Sequence, residues 1–256
     1  MVKLYIPRDT TAVAMGADEL CDALQQQCRD GAFELVRNGS RGLFWLEPLI
    51  EIETAEGRIA YGPVSIDDLP SLLASGLLEG KQEHPLCQGL TEEIPYLKQQ
   101  QRLTFARAGI TDPVSLEDYQ QHGGLVGLKQ ALSLSPQAIV DEVQQSGLRG
   151  RGGAAFPTGI KWQTVLDANN QQGQKYIVCN ADEGDSGTFA DRLVMEADPY
   201  MLIEGMIIAG LAVGANQGYI YLRSEYPLAD QILYEAITRA EQANILGDNI
   251  LGSGNT

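Results

Sequence analysis

Short apolar runs alternate with polar ones through the first eighty positions, and beyond them the apolar residues recur at helical spacing. Residues 3–6 read as a strand. Residues 17–28 read as a helix with Leu20, Leu24 and Cys28 on one side. Residues 33–36 form a second strand. Residues 49–53 and 58–61 alternate like a hairpin with Glu56-Gly57 at its turn, and Ser65 to Pro70 starts a short closing helix. Residues 79–101 are polar and irregular, with Pro85 and Pro95, and read as a crossing between domains. Short helices follow around the breaks Asp112-Pro113 and Gly123-Gly124. Ser135 is placed to N-cap a helix, Pro136 fits its first turn, Ile139, Val140 and Val143 make its apolar stripe, and Gly147 suits its stop. From Lys175 onward the order is strand, helix, strand, helix. Residues 175–179 form a buried strand, 199–213 a helix broken by glycines at 205, 210 and 214, and 219–222 the next strand. Residues 227–243 form an amphipathic helix with Ile232, Leu233, Ala236, Ile237 and Ala240 inward. That alternation predicts an α/β fold with parallel pairing.

Two stretches carry chemistry. The first runs Gly147-Leu148-Arg149-Gly150-Arg151-Gly152-Gly153-Ala154-Ala155-Phe156-Pro157-Thr158-Gly159-Ile160-Lys161-Trp162. Its glycines let backbone approach a ligand, and exposed amides there can cradle phosphate beside Arg149, Arg151 and Lys161. It hangs between two helices, whereas the dinucleotide fingerprint G-x-G-x-x-G follows a strand, so a standard Rossmann reading is disfavoured. The second runs Lys175-Tyr176-Ile177-Val178-Cys179-Asn180-Ala181-Asp182-Glu183-Gly184-Asp185-Ser186-Gly187-Thr188-Phe189. Polar groups at the carboxyl end of a parallel strand are where open α/β sheets bind ligands. Asn180 and Asp182 offer donors and acceptors along a heterocycle's edge.

Together these stretches resemble the flavin-carrying NADH dehydrogenase subunit family. That family comprises the flavoprotein subunit of respiratory complex I, the diaphorase subunits of NAD-reducing hydrogenases and the beta subunits of soluble NAD-dependent formate dehydrogenases. The resemblance runs from about Ala108 to about Gly252 and implies FMN binding with hydride exchange between NAD(H) and FMN. No residue is then catalytic in its own right. Gly150, Gly152 and Gly153 admit the cofactors, with Arg151 a weaker candidate in the same loop. By the same resemblance Lys161 contacts the flavin phosphate or a ring oxygen, and Asn180 and Asp182 bind the pyrimidine edge and ribityl chain. Glu183 and Asp185 face the nicotinamide, and Phe156 stacks on adenine. Two alternatives stay open: Phe156 as a core aromatic and Lys161 as a solvated cation. Complex I relatives often carry Glu where Asp185 stands, which implies different nucleotide release.

Residues 1–84 resemble a thioredoxin-like ferredoxin domain, but without its four cluster-holding cysteines. The first loop, residues 7–15, has none, and Ser40 and Phe44 occupy ligand positions in the second. The expected organisation is a cluster-free thioredoxin-like domain over 1–84, a linker over 85–107, and an FMN/NADH-binding α/β domain over 108–256. The family continues with a second glycine-rich segment and a four-cysteine [4Fe–4S] domain that this sequence lacks, so the flavin domain is expected to be incomplete. The implied partners are a [2Fe–2S] gamma-type subunit and a catalytic alpha-type subunit. A formate dehydrogenase is the first expectation, with an NAD-reducing hydrogenase, a complex I-like enzyme or a non-catalytic docking fragment as alternatives.

Composition narrows the field further. The 256 residues carry 34 acidic and 18 basic side chains, a net charge of −16. Such acidity argues against nucleic acid and against anionic membrane. The apolar run 201–215 is too short to span a bilayer and contains Glu204, and no signal-peptide pattern opens the chain, so a cytoplasmic protein is expected. Cys21, Cys28, Cys87 and Cys179 show no C-x-x-C spacing, and with two histidines a zinc site is not expected. Cys21 and Cys28 are read as core residues.

Overall fold

In the computed structural model, which describes residues 1–168 and 173–256, the chain divides into two compact units. The first comprises residues 1–119 together with 192–198, and the second 120–191 together with 199–256.

The first unit is built on a five-stranded sheet. Its elements are β1 (Val2–Tyr5), α1 (Thr10–Ala14), α2 (Ala17–Gln27), β2 (Phe33–Val36), β3 (Ile50–Thr54), β4 (Gly57–Tyr61), α3 (Leu69–Ala74), β5 (Cys87–Leu90), α4 (Pro95–Lys98) and the first residues of α5 (Leu116–Gln121). The strand order is β2-β1-β3-β4-β5. β1 and β2 are parallel, and the remaining neighbours are antiparallel. The predicted hairpin is present, with Thr54 opposite Gly57. Ser65 and Asp68 form a capping box ahead of α3, Ser65 N donating to Asp68 Oδ2 at 2.9 Å. Leu20 and Leu24 of α2 pack with Leu4, Ile52 and Leu72 in a closed core. Cys21 is buried in it, and Cys28 packs at its edge.

Two features of this unit depart from the sequence reading. β5 lies inside the stretch read as a linker and adds a fifth strand beside β4. Its sequence, Cys-Gln-Gly-Leu, offers only Cys87 and Leu90 to the core, too little alternation to read as a strand. The second departure is residues 192–198, the last part of the helix α9 (Ala190–Ala197) and Asp198. Thr10 donates to Glu196 through its amide (2.8 Å) and its hydroxyl (2.5 Å). Arg107 pairs with Asp198 at 2.9 Å, and Leu193 and Ala197 pack on Ala108 and Phe105. A Cβ at Gly39 would stand 2.3 Å from the Ala197 Cβ, so only glycine admits this approach.

The loop of Ser40 and Phe44 holds a buried polar network where the resemblance puts cluster ligands. Ser40 donates to Glu47 at 2.6 Å, and Arg41 grips Glu51 at 2.9 Å. Among the described residues no group of three or more His, Cys, Asp or Glu side chains is arranged to hold a metal ion.

Three buried carboxyl groups adjoin one another: Asp9, Glu47 and Glu196. Burial, then the charge of Glu196, pushes Asp9 up to about 6, while burial, then the charge of Asp9, pushes Glu47 up to about 8. The folded unit therefore keeps protons that the unfolded chain releases near pH 4. Below that pH both states are protonated and nothing is lost. Through the window from about 4 to about 8 the folded unit loses stability as pH rises, and above it the penalty is constant. Thermal unfolding followed by Trp45 fluorescence in a Trp162→Phe background is expected to show a higher midpoint at pH 5 than at pH 8.5. Glu47→Gln is expected to flatten that slope.

The second unit holds the end of α5, α6 (Val126–Ala131), α7 (Pro136–Gln145), α8 (Thr158–Asp167), β6 (Lys175–Ala181), the start of α9, α10 (Pro199–Val213), β7 (Ala215–Leu222) and α11 (Pro227–Gln242). Ser135 caps α7 through Ala138 N and Pro136 opens it, as the sequence predicts. β6 and β7 pair in parallel, from Lys175 opposite Ala215 to Ala181 opposite Leu222. α10 runs unbroken through Gly205 and Gly210, against the expectation of a broken helix, and ends at Gly214 with φ of 74°. Gly210 serves packing instead, since a Cβ there would meet the Ala215 carbonyl at 2.8 Å. Glu204, buried in α10, accepts the amides of Leu125 and Leu128, both at 2.8 Å, and so caps α6 from outside. Residues 250–252, where the resemblance to the family ends, form a 3-10 turn. Ile250 N bonds Asn255 O and Leu251 N bonds Asn244 O, which folds the segment back on its neighbours.

Candidate functional site

The glycine-rich stretch closes into a narrow loop between α7 and α8. Gly147 ends α7 at φ of 68°. Gly150 N then bonds Phe156 O and Thr158 N bonds Leu148 O, each at 2.9 Å, with Arg149 bridged to Pro157. The Arg149 guanidinium donates to Ala155 O at 2.9 Å, so its charge braces the loop from within. The tip, residues 151–154, is exposed. A Cβ at Gly152 or Gly153 would meet nothing within 4 Å, and among the described residues the amides of Arg151, Gly152 and Gly153 enter no backbone hydrogen bond. Ala155 holds a φ of 47°, a conformation that costs a non-glycine residue about 1–2 kcal/mol. Phe156 is 46% exposed, which removes the core-aromatic alternative. The Lys161 ammonium lies 5.7 Å from the centroid of its ring, one helical turn into α8.

The second stretch leaves the carboxyl end of β6. Asn180 is exposed, and its Oδ1 accepts Asp182 N at 3.1 Å, which bends the chain out of the strand. The Asp182 carboxylate stands 4.0 Å from Arg223 Nε with 45% of its side chain exposed. Glu183 is partly withdrawn: its Oε1 accepts Asp191 N at 3.0 Å at the start of α9. Burial, then the charge of Glu183, holds the Asp191 carboxyl above its usual range. Asp185 is exposed and its carbonyl accepts both the amide and the hydroxyl of Thr188. Two residues that the sequence did not place at this site hold its backbone: Tyr226 and Arg223 both donate to the Glu183 carbonyl. The signal is faint in sequence, because both lie about forty positions away, beyond β7.

α8 and β6 share one core, in which Trp162, Leu166 and Ile177 pack on Val140, Ala212 and Val213. Lys175 Nζ donates to Leu166 O at 3.1 Å, tying the end of α8 to the start of β6.

A groove of about 770 Å³ also lies in this unit, along the free edge of β7 between α10 and α11. It contains none of the predicted site residues. Its wall carries Asp230, Glu241 and Asp248 and no basic side chain, so it offers a phosphate no cationic partner. The sheet face carrying Tyr176, Val178, Tyr219 and Tyr221 is exposed, with the Tyr176 and Tyr219 rings 5.9 Å apart.

Comparison with known proteins bears on this unit directly. Residues 143–251 match the family described as the Nuo51 FMN-binding domain. The chain is 50% identical over 157 residues to the NADP-reducing hydrogenase subunit HndC of Solidesulfovibrio fructosivorans, covering 61% of this chain and 31% of that protein. It is 51% identical over 140 residues to an NADH-quinone oxidoreductase subunit of Aquifex aeolicus, covering 55% and 32%. It is 44% identical over 153 residues to the Escherichia coli counterpart of that subunit, covering 59% and 34%. The chain therefore spans about a third of the length of the curated relatives it matches. A solved structure of an NAD+-reducing [NiFe]-hydrogenase in the air-oxidized state aligns over 96% of this chain and 41% of its own, at 24% identity and a TM-score of 0.45. The resemblance to complex I flavoprotein-type diaphorase subunits, and the α/β class that goes with it, are borne out by these matches.

Proposed function

We propose that this chain is the FMN- and NAD(H)-binding part of a multi-subunit oxidoreductase, and that its second unit positions a flavin against a nicotinamide. The observation that carries this is the open amide cradle at residues 151–153, lying within the segment that matches an FMN-binding domain. When bound, FMN supplies the site that exchanges hydride with the nicotinamide ring. The chain's own residues bind and orient. The cradle amides, with Arg151 and Lys161, favour a phosphate's negative charge. Asn180 keeps its Nδ2 for a ring acceptor while its Oδ1 is spent on Asp182 N. Asp182 offers a carboxylate to sugar hydroxyls. Asp185 is open to a nicotinamide ribose or amide, and Glu183 stands on that side while its Oε1 caps α9. Phe156 presents an exposed ring face to adenine. Placing two rings in one geometry is the whole of the protein's contribution here.

The relatives named above belong to a hydrogenase and to quinone oxidoreductases, which favours a hydrogenase-type or complex I-type partner over the formate dehydrogenase expected from the sequence. Electrons would pass from the flavin to iron–sulfur clusters of partner subunits. Supplying formate or hydrogen to the chain with its co-purified partners distinguishes the donors.

Asn180→Ala and Lys161→Ala are each expected to weaken FMN binding about tenfold, the loss of one charge-assisted or ring-directed hydrogen bond. Equilibrium titration of flavin fluorescence reads this directly. If both variants bind FMN as the unaltered chain does, the pocket assignment is wrong.

A further inference from the structure

We propose that Tyr226, backed by Arg223, is a positioning residue for the flavin site: it fixes the carbonyl of Glu183 and thereby the course of the Asp182–Asp185 backbone. This inference rests on the flavin reading above. The Tyr226 hydroxyl donates to Glu183 O at 2.6 Å, and Arg223 Nη1 approaches the same oxygen at 3.4 Å. Arg223 is itself oriented by Glu225, with Nε 3.0 Å from Oε2, and its guanidinium carbon lies 5.9 Å from the Tyr226 ring centroid. Gly184 follows without a side chain. A Cβ there would meet Asp182 Oδ2 at 3.2 Å and Arg223 Nη1 at 3.5 Å, so the carboxylate and the guanidinium close over the peptide that Tyr226 holds.

The topology explains why the anchor must come from here. β6 and β7 are parallel and in register to their last residues, Ala181 opposite Leu222. Both strands therefore discharge their loops at the same edge. The β6 loop carries the ligand-facing groups, and the β7 loop turns at once into α11, whose first residue is Pro227. Tyr226 is the residue before that helix and precedes a proline, which restricts its own backbone. Its ring is thus carried by a rigid strand-to-helix joint, and its hydroxyl transfers that rigidity to a loop that is exposed on both sides of Glu183. Glu183 is then held twice, by its carbonyl from Tyr226 and by its carboxylate at Asp191 N. Between those two grips the peptide plane has one orientation, and the side chains of Asp182 and Asp185 leave it in fixed directions.

Tyr226→Phe in the full chain removes the hydroxyl and leaves the ring. The expected result is an FMN dissociation constant raised about tenfold, because the 182–185 backbone is no longer held in one orientation before FMN binds. The thermal midpoint of the FMN-free chain should fall by no more than the few degrees that one hydrogen bond accounts for, and amide exchange should quicken at residues 182–188 alone. Tyr234→Phe, which removes an exposed hydroxyl from α11, should change none of these. Equal FMN affinity in Tyr226→Phe and the unaltered chain overturns the positioning role while leaving the flavin reading in place. A lowered midpoint that tracks the lost affinity reduces Tyr226 to a structural residue and also overturns it. Failure of the unaltered chain to bind FMN removes the flavin reading and this inference together.

Discussion

Arg41→Met is expected to destabilise the first unit by about 3 kcal/mol, the low end of the cost of breaking a buried ion pair, because the Glu51 carboxylate loses its closer guanidinium and keeps only Arg58 and Asn38. Arg41 and Glu51 are 4% and 1% exposed, and they meet through two contacts, Nη2 to Oε1 at 2.9 Å and Nε to Oε2 at 3.3 Å. Arg58 stands 3.6 Å from the same carboxylate and cannot take over both oxygens, because its own guanidinium is engaged by the carbonyls of Gly109 and Ile110. Arg41 also reaches Glu92 at 2.7 Å, but that carboxylate is 70% exposed and contributes little. Urea unfolding measures the loss. The double variant Arg41→Met, Glu51→Leu is expected to recover most of it, since the penalty belongs to the unpaired charge rather than to the lost pair. A single variant within 1 kcal/mol of the unaltered chain would show that water already reaches this site.

Gly153→Val is expected to weaken FMN binding by about a hundredfold, roughly 3 kcal/mol. Gly153 sits at φ of 82°, where a β-branched residue is strained, and its missing side chain faces open space at the loop tip. Valine would push backbone and side chain into the volume assigned to the ligand. Gly147→Ala supplies the control. It imposes a similar backbone strain at φ of 68° outside the cradle, and it should leave FMN affinity within a few-fold of normal. Equal losses from the two substitutions would assign the effect to loop strain and not to the cradle.

Much of the second unit was legible because its signals are local. Ser135, Pro136 and Gly147 bracket α7 as capping chemistry predicts, and the parallel pair β6 and β7 follows from the alternation of strand and helix. The hairpin and the start of the short helix after Ser65 were legible in the first unit for the same reason. What escaped depends on distant partners. β5 has two inward residues and acquires its identity only from β4. Residues 192–198 lie inside the stretch expected to be flavin domain, yet Glu196 and Asp198 are committed to Thr10 and Arg107 of the first unit. The acidic Glu204 in an apolar helix looked like an interruption and proves to be the cap of α6. At the site, residue types in the two stretches were informative, whereas the second role of Glu183 and the anchor at Tyr226 were invisible because each is a contact across loops.

The central claim is that the loop near Gly152 and the turn after Asn180 hold one ligand between them. Amide hydrogen exchange of the chain with and without saturating FMN tests it most directly. The account predicts slowed exchange in both 149–156 and 180–188 at the same FMN concentration, with the rest of the second unit changed far less. Protection confined to one of the two stretches, or appearing along the groove beside β7 instead, would contradict it.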